Sequence, residues 1–393
     1  MQAKILLDAS SCRRWQIDLV RRLEEHSEAT VSVEIVDAPP APGHRKLEAL
    51  LLLERRLHGL KPGGLERGGL SSLPQGDDRK NFDLVLDLTA EPAAGHWKVL
   101  YDDRPGEQSA VSALRAGRQP LVSVVDDTGT VRAQGRPGSE QPGLLATALA
   151  DIGAGTATLV IGALTGSPFA TPASDSAEPG EPRPFSLITA RRIVGAGLRL
   201  GYRAAFRAPH WRVGWRRSNG PDLLETGKLP DSGWHDLPDD GLHFYADPFL
   251  FEHDGAVYLL VEDFDHRAGK AVLSATRMEA GDFVDTPRQV LSHEVHLSYP
   301  CVFGHAGEIW MIPETSGAKT VELYRAVEFP WRWERHSILL EGVEASDATP
   351  FVHAGRWWLT ATVGFGGSLS DSLCLWSAPE PWGPWTPHKN NPV

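Results

Sequence analysis

Three segments of this chain align without a gap, and no other feature limits the fold as much. They are DPFLFEHDGAVYLLVE from Asp247, YPCVFGHAGEIWMIPE from Tyr299 and DATPFVHAGRWWLTAT from Asp347, starting 52 and then 48 residues apart. Phe251, Phe303 and Phe351 fall in register. So do His253, His305 and His353, and Gly255, Gly307 and Gly355. Tyr258, Trp310 and Trp358 share an aromatic position, followed by Leu259, Met311 and Leu359. Each unit predicts two strands joined by a tight His-x-Gly turn in which Gly supplies the positive φ. The repeated histidine is expected to serve a hairpin hydrogen bond rather than a metal. Further strands follow in KAVLSATRM, TVELYRAV and SLCLWSAPE. A repeat of about fifty residues built from short antiparallel strands has the size of one propeller blade.

The first half has a different rhythm. KILLDA, ATVSVEIVDA and FDLVLDLT predict strands. Between them CRRWQIDLVRRLEEH, with Trp15, Ile17, Leu19, Val20 and Leu23 near helical period, and KLEALLLLERRLHGL predict helices. Strand-helix alternation implies a parallel sheet with helices on its faces. LLATALADIGAGTATLVIGAL, from Leu144 to Leu164, carries Asp151 and much Gly, Ala and Thr. It is expected to be a buried helix followed by the strand ATLVIGAL, not a membrane span. The run from Ser167 to Pro184 is rich in Pro, Ser, Ala and Glu and marks a linker. After it, FSLITARRIVGAGLRLGYRAAFRA predicts a helix bearing Arg191, Arg192, Arg199, Arg203 and Arg207. Such a basic amphipathic helix can lie on a membrane surface or an acidic partner, or simply connect two domains. The expected organisation is therefore an α/β domain over 1–166, a linker and connecting helix over 167–210, and an all-β propeller domain over 211–393.

The formal charge of −12 over 393 residues argues against nucleic acid as a partner, which needs clustered cations. Cys12, Cys301 and Cys374 lie far apart without metal-ligand spacing. No signal-peptide pattern opens the chain, so a reducing, cytoplasmic setting is expected. No GxGxxG or phosphate-binding loop occurs, and no cofactor or metal is expected.

The first strand of a blade lines the propeller channel, so Asp247, Tyr299 and Asp347 should occupy equivalent positions at one pocket. Two carboxylates facing one pocket can act as base and acid or pKa modulator, because like charges push one another's pKa apart. Glu262 and Glu314 end the second strands in register. They are candidates for substitute acids or substrate acceptors, against the plainer role of anchoring the next blade's backbone amides. His296 and Tyr245 complete the candidate ligand-binding set.

These residues carry a resemblance. ADPFLFEHDGAVYLL resembles the first blade of five-bladed propellers of glycoside hydrolase family 43. In those enzymes the aspartate of the Asp-Pro pair is the general base and a third-blade aspartate tunes its pKa. The resemblance implies those roles for Asp247 and Asp347. FYADPFLFEHDG, HLSYPCVFGHAGEIWMIPET, ELYRAVEFPWRWE and GPWTPHKNNPV more closely resemble the N-terminal propeller domain of the glucosamine inositolphosphorylceramide transferase type, over about Trp211 to Val393. The chain ends where a fourth blade, source of the hydrolases' general-acid glutamate, is expected. KILLDAS, RRWQIDLVRRL, FDLVLDLT and VLYDDRPGEQSAVSALRAGRQPLVSVVDDTG resemble formyltransferase domains in outline, but HWKVLYDDRPGEQ lacks the Asn-x-His motif and Asp102 and Asp103 do not replace it. A scaffolding or ligand-binding role follows for that half.

The leading expectation is a propeller protein that binds or acts on a glycan or glycolipid headgroup. Asp247 would be the base, Asp347 the modulator and Glu314 a substitute acid, with Tyr299, His296, Glu262 and Tyr245 holding substrate. The alternatives are a non-catalytic binding or scaffold module in polysaccharide or glycolipid synthesis, and a formyl or acyl transferase working through the N-terminal half.

Overall fold

The computed structural model describes residues 2–27, 30–60, 63–66, 73–74, 82–166, 180–206, 209–217, 220, 223–279, 281–283 and 285–393. Most of the expected linker, 167–179, and Arg207 lie outside these residues. The chain divides into two compact units. The first is Met1–Tyr202 with Val363–Leu373 and Lys389–Val393, and the second is Arg203–Thr362 with Cys374–His388.

In the first unit β1 (Gln2–Asp8), α1 (Arg14–Ser27), β2 (Thr30–Val36), α2 (His44–His58), β3 (Leu84–Asp87) and β4 (Trp97–Tyr101) alternate as expected. The sheet order is β2-β1-β3-β4, parallel throughout. Beyond β4 the expectation of a wholly parallel sheet fails. Asp102 and Asp103 adopt left-handed φ of 48° and 63°, and this two-residue turn folds β5 (Arg104–Pro105) back on β4. After α3 (Glu107–Arg115) the strands β6 (Val122–Val125) and β7 (Val131–Gly135) add antiparallel, giving a mixed sheet. Asp tolerates left-handed backbone better than most residues, so the two acids are turn-formers here.

α4 (Leu145–Thr165) corrects a second expectation, since ATLVIGAL continues the helix instead of forming a strand. The helix is buried along most of its length and shows no amphipathic stripe. Periodicity therefore cannot separate it from a buried strand. Its β-branched threonines are accommodated by back-bonding: Thr156 Oγ1 donates to Ile152 O at 2.7 Å and Thr158 Oγ1 to Ala154 O at 3.3 Å. This is the one described helix long and apolar enough to cross a membrane, and 78% of its apolar window is buried within the protein, as a core helix would be. Gly153 lets it approach α1: a Cβ there would lie 2.6 Å from Trp15 Cδ1. α5 (Phe185–Ala205) follows.

The second unit opens with the short pair β8 (Gly214–Trp215) and β9 (His235–Asp236). Three four-stranded antiparallel meanders follow, each one blade of the propeller type. They are β10 (His243–His253), β11 (Ala256–Asp265), β12 (Lys270–Arg277) and β13 (Arg288–Leu291); then β14 (Ser298–His305), β15 (Glu308–Thr315), β16 (Thr320–Glu328) and β17 (Arg332–Glu341); then β18 (Ala345–His353), β19 (Arg356–Val363), β20 (Leu373–Ala378) and β21 (Thr386–Pro387). The repeat is thus a blade repeat. In each His-x-Gly turn both central residues have positive φ: Asp254 and Gly255 (49°, 71°), Ala306 and Gly307 (53°, 77°), Ala354 and Gly355 (49°, 74°). Two positive φ values define the I′ turn whose twist matches antiparallel strands.

The expected hairpin bond exists in two blades but ends on the histidine carbonyl. Trp310 Nε1 donates to His305 O and Trp358 Nε1 to His353 O, each at 3.3 Å. The imidazoles instead meet aromatic rings, His253 against Phe329 at 5.3 Å and His305 against Trp357 at 5.1 Å. Among the tryptophans of the blades, Trp310, Trp333 and Trp376 are buried, whereas Trp382 is 41% exposed.

Candidate functional site

The heads of the three first strands share one backbone device. The β10–β11 ladder slips between Ala246 and Phe249, and the β14–β15 ladder slips between Ser298 and Cys301. Asp247 and Tyr299 sit in these slips with φ of 46° and 47°, and Asp347 takes 56° at the matching place in β18. Left-handed backbone costs a residue with a Cβ about 1–2 kcal/mol. Bulges of this kind re-aim a side chain away from its strand and recur beside functional sites.

These residues are wired to one another. Asp247 Oδ2 accepts the Tyr299 N–H at 3.1 Å. The Tyr299 ring stands edge-on to Phe249 at 4.9 Å, and its hydroxyl lies 2.8 Å from Thr349 Oγ1. Thr349 Oγ1 donates to Asp347 O at 3.0 Å, so in that pair the tyrosine is the donor. Tyr299 therefore ties the first blade to the third. On the second strand, Glu262 pairs with Ala246 and places Oε1 3.0 Å from His296 Nε2. The Ala271 N–H donates to His296 Nδ1 at 3.3 Å, which favours the proton on Nε2, facing Glu262.

The electrostatics follow from this convergence. Burial pushes the Asp247 pKa up, Glu262 and Asp347 push it further, and the Tyr299 N–H and His296 oppose the rise. The Glu262 hydrogen bond raises His296 against its burial, with Glu314 and Asp247 helping. Burial raises Asp347, Glu314 and Tyr299 too. Asp347 is the most exposed of these acids, at the rim of the cluster.

Glu314 is committed to the chain. Its Oε1 accepts from Ser316 Oγ at 2.7 Å, and it also bonds the Asp347 backbone and the Ser346 side chain. It thus anchors the head of β18, the plainer of its two expected roles. Tyr245 is 4% exposed and packs with Leu259, Val261 and Phe283. Burial and nearby Asp263 push its phenol pKa up. It backs the site as a wall.

A cavity of about 480 Å³ opens at Asp247 and Glu262. Phe244, Tyr245, Pro248, Trp211 and Arg212 also line it. Trp211 is 62% exposed, a flat apolar face at the edge of an acidic pocket. The repeat could not reveal it, because Trp211 precedes the first blade; its only signal was its place at the onset of the Trp-rich half. Among the described residues no group of three or more His, Cys, Asp or Glu is arranged to hold a metal ion.

Clustered carboxylates with an imidazole and an exposed indole, mounted on propeller-type blades, are the arrangement of a carbohydrate-related protein: carboxylates accept from sugar hydroxyls and an indole stacks on a sugar face. Parts of the chain are similar to known proteins. Residues 238–393 match the family model described as glucosamine inositolphosphorylceramide transferase 1, N-terminal. The glucosamine inositolphosphorylceramide transferase 1 of Arabidopsis thaliana is 34% identical over 187 residues, covering 46% of this chain and 24% of the relative. That of Oryza sativa subsp. japonica is 32% identical over 154 residues, covering 38% and 21%. The chain thus spans less than a quarter of the length of these curated relatives. Among solved structures, GH43B of the Bacteroides ovatus xyloglucan locus overlaps 41% of this chain and 34% of its own, with a TM-score of 0.32 and 14% identity. A thermostable family-43 glycoside hydrolase overlaps 38% and 55%, with a TM-score of 0.31 and 11% identity.

Proposed function

We propose that the blade-built unit binds a glycan or glycolipid headgroup in the Asp247–Glu262 pocket and acts on it by acid/base chemistry, with Asp247 as the base. The observation that carries this reading is the convergence of Asp247, Glu262, His296, Tyr299 and Asp347 from separate strands and blades. A base works best when its pKa lies near the working pH, and the raised Asp247 moves in that direction. Asp347 and Glu262 act through charge, holding that pKa up. Tyr299 positions Asp247 through its backbone amide, and Trp211 offers the stacking face.

Hydrolysis of aryl glycosides and binding to a glycan array, each compared between the native chain and Asp247→Asn, test the proposal. Turnover should fall by about 10²–10⁴-fold in the variant, the usual contribution of a positioned acid or base, with binding largely kept. Binding without turnover in the native protein would favour a non-catalytic recognition module in glycan or glycolipid synthesis. Absence of both binding and turnover would refute the carbohydrate reading. The pH profile gives an independent check. The acidic limb of kcat/KM should lie above the ordinary aspartate range, and Glu262→Gln, which removes a charge that raises Asp247, should move that limb to lower pH. An unmoved limb would assign it to another group.

We further propose that α5 rests on an anionic bilayer surface. Leu187, Val194 and Leu198 are 41%, 60% and 71% exposed at helical spacing, with Arg191 between them. A headgroup substrate would be met at such a surface. The α/β unit is read as formyltransferase-like in outline, without that family's chemistry; turnover with a formyl-folate donor would overturn this.

A further inference from the structure

The first unit contains a larger cavity, about 600 Å³, which the proposed glycan chemistry does not use. Its location follows from topology. The chain leaves β1 for β2 on one side and enters β3 on the other, so the carboxyl ends of β1 and β3 flank a crevice. Open α/β sheets take their ligands at such a switch point. Asp8 ends β1, Val36 ends β2 and Leu88 follows β3, and all three line the cavity. Asp8 Oδ2 accepts the Ala90 N–H at 2.9 Å and so links the two strand ends across the crevice. The volume lies within the range of small-molecule sites.

The usual occupant of such a crevice is an anion at a helix N-terminus. Here the start of α1 and the guanidinium of Arg13 are already engaged, and the start of α3 carries an acid. The Arg14 N–H donates to Glu66 O at 2.8 Å and the Trp15 N–H to Gly64 O at 3.1 Å, closing the start of α1. α3 begins with an acid, Glu107. Arg13 is the one Lys or Arg on the cavity wall, 2% exposed, and its guanidinium is bound by the protein's own groups. Its Nε and Nη2 donate to Glu107 at 2.7 and 2.9 Å, Nη2 also to Glu48 at 2.6 Å, and Nη1 to Leu65 O at 3.1 Å. Once Arg13 and Glu107 cancel, Asp8, 6% exposed, and Glu91 leave the wall acidic. Asp87 and Glu91 press on Asp8 and add to the upward push of burial on its pKa, so a cation would relieve the site. Trp15, Tyr101, Val99, Leu149 and Ile152 give the wall flat and apolar faces, between polar Ser10, Ser11, Gln16, Thr89, Gln108 and His44, the last lying 4.0 Å from Glu48 Oε1.

We infer that this crevice binds a small organic amine, its protonated nitrogen beside Asp8 and Glu91 and its flat or apolar body against Trp15, Tyr101 and Ile152. The charge excludes carboxylates and phosphates, and the walls give a ring a burial that a bare metal ion or short polyamine would not use.

Calorimetric titration of the full chain with tryptamine and tyramine tests the inference, against tryptophol and indole-propionate as neutral and anionic bodies of matched shape. At least one amine should bind with one-to-one stoichiometry, about tenfold or more tighter than the matched alcohol, a difference of about 1.4 kcal/mol. Asp8→Asn, which keeps an acceptor for the Ala90 N–H, and Glu91→Gln on the exposed rim should each weaken it several-fold, with circular dichroism unchanged. Equal or tighter binding of the acid, no amine binding at millimolar concentration, or full affinity in Glu91→Gln and in a folded Asp8→Asn would each overturn it. The outcome is independent of the glycan assays, which read the other unit.

Discussion

Asp151 is a carboxylate in an unfavourable place. It sits in α4 at 7% exposure, its Oδ2 has no hydrogen-bond partner, and burial together with Glu140 and Asp371 pushes its pKa up to about 6. A folded-state pKa above the unfolded value means that the folded chain holds the proton more tightly. The favourable contribution is fully present below the ordinary aspartate pKa, near 3.8, and is lost as pH rises through about 6. Asp151→Asn should therefore stabilise the protein at pH 8 by about 3 kcal/mol, the worth of a shift of that size, and change little at pH 4. Urea denaturation at both values checks this, and an equal effect at each would dismiss the ionisation argument. Tyr299 makes a different demand. Tyr299→Phe removes the hydroxyl donated to Thr349 and keeps the ring on Phe249. The expected loss is about 1 kcal/mol of stability with Asp247 still held by the backbone amide, so any turnover should fall less than in Asp247→Asn.

At the scale of elements, the close crossing of α1 and α4 depends on Gly153. Gly153→Ala would set a methyl 2.6 Å from Trp15 Cδ1 and force the helices or the indole to move. A destabilisation of about 1–3 kcal/mol is expected by denaturant unfolding. Because Trp15 lines the crevice, tryptamine affinity should fall with it. The blades were legible in the sequence because a period-2 strand and its I′ turn leave fixed marks, Phe251, His253 and Gly255 and their two sets of counterparts. α4 was not, because burial on every side erased its period. The turn at Asp102–Asp103 was invisible as well, since two adjacent acids suggest chemistry as readily as a reversal of chain direction. Within the site, Asp247, Asp347 and Glu262 could be found by alignment of the repeat and His296 by its nearness to Tyr299. Trp211 belongs to no repeat, and only folding brings it to the cavity.

For the whole molecule the electrostatics divide by place. A formal charge of −12 repels anionic surfaces on average, yet α5 gathers Arg191, Arg199 and Arg203 among exposed apolar residues. The full chain should sediment with vesicles containing phosphatidylserine and stay behind with purely zwitterionic ones. Leu198→Glu should abolish the association, whereas unchanged sedimentation would show that α5 plays no part in it. The left-handed strand heads carry a consequence for how such a protein diversifies. Backbone shape at 247, 299 and 347 is the same whether the side chain is an acid or a phenol. Each blade therefore presents one socket whose occupant can be exchanged without redrawing the strand. A lineage could walk between binding and turnover by single replacements at three addresses while the β-scaffold stands still.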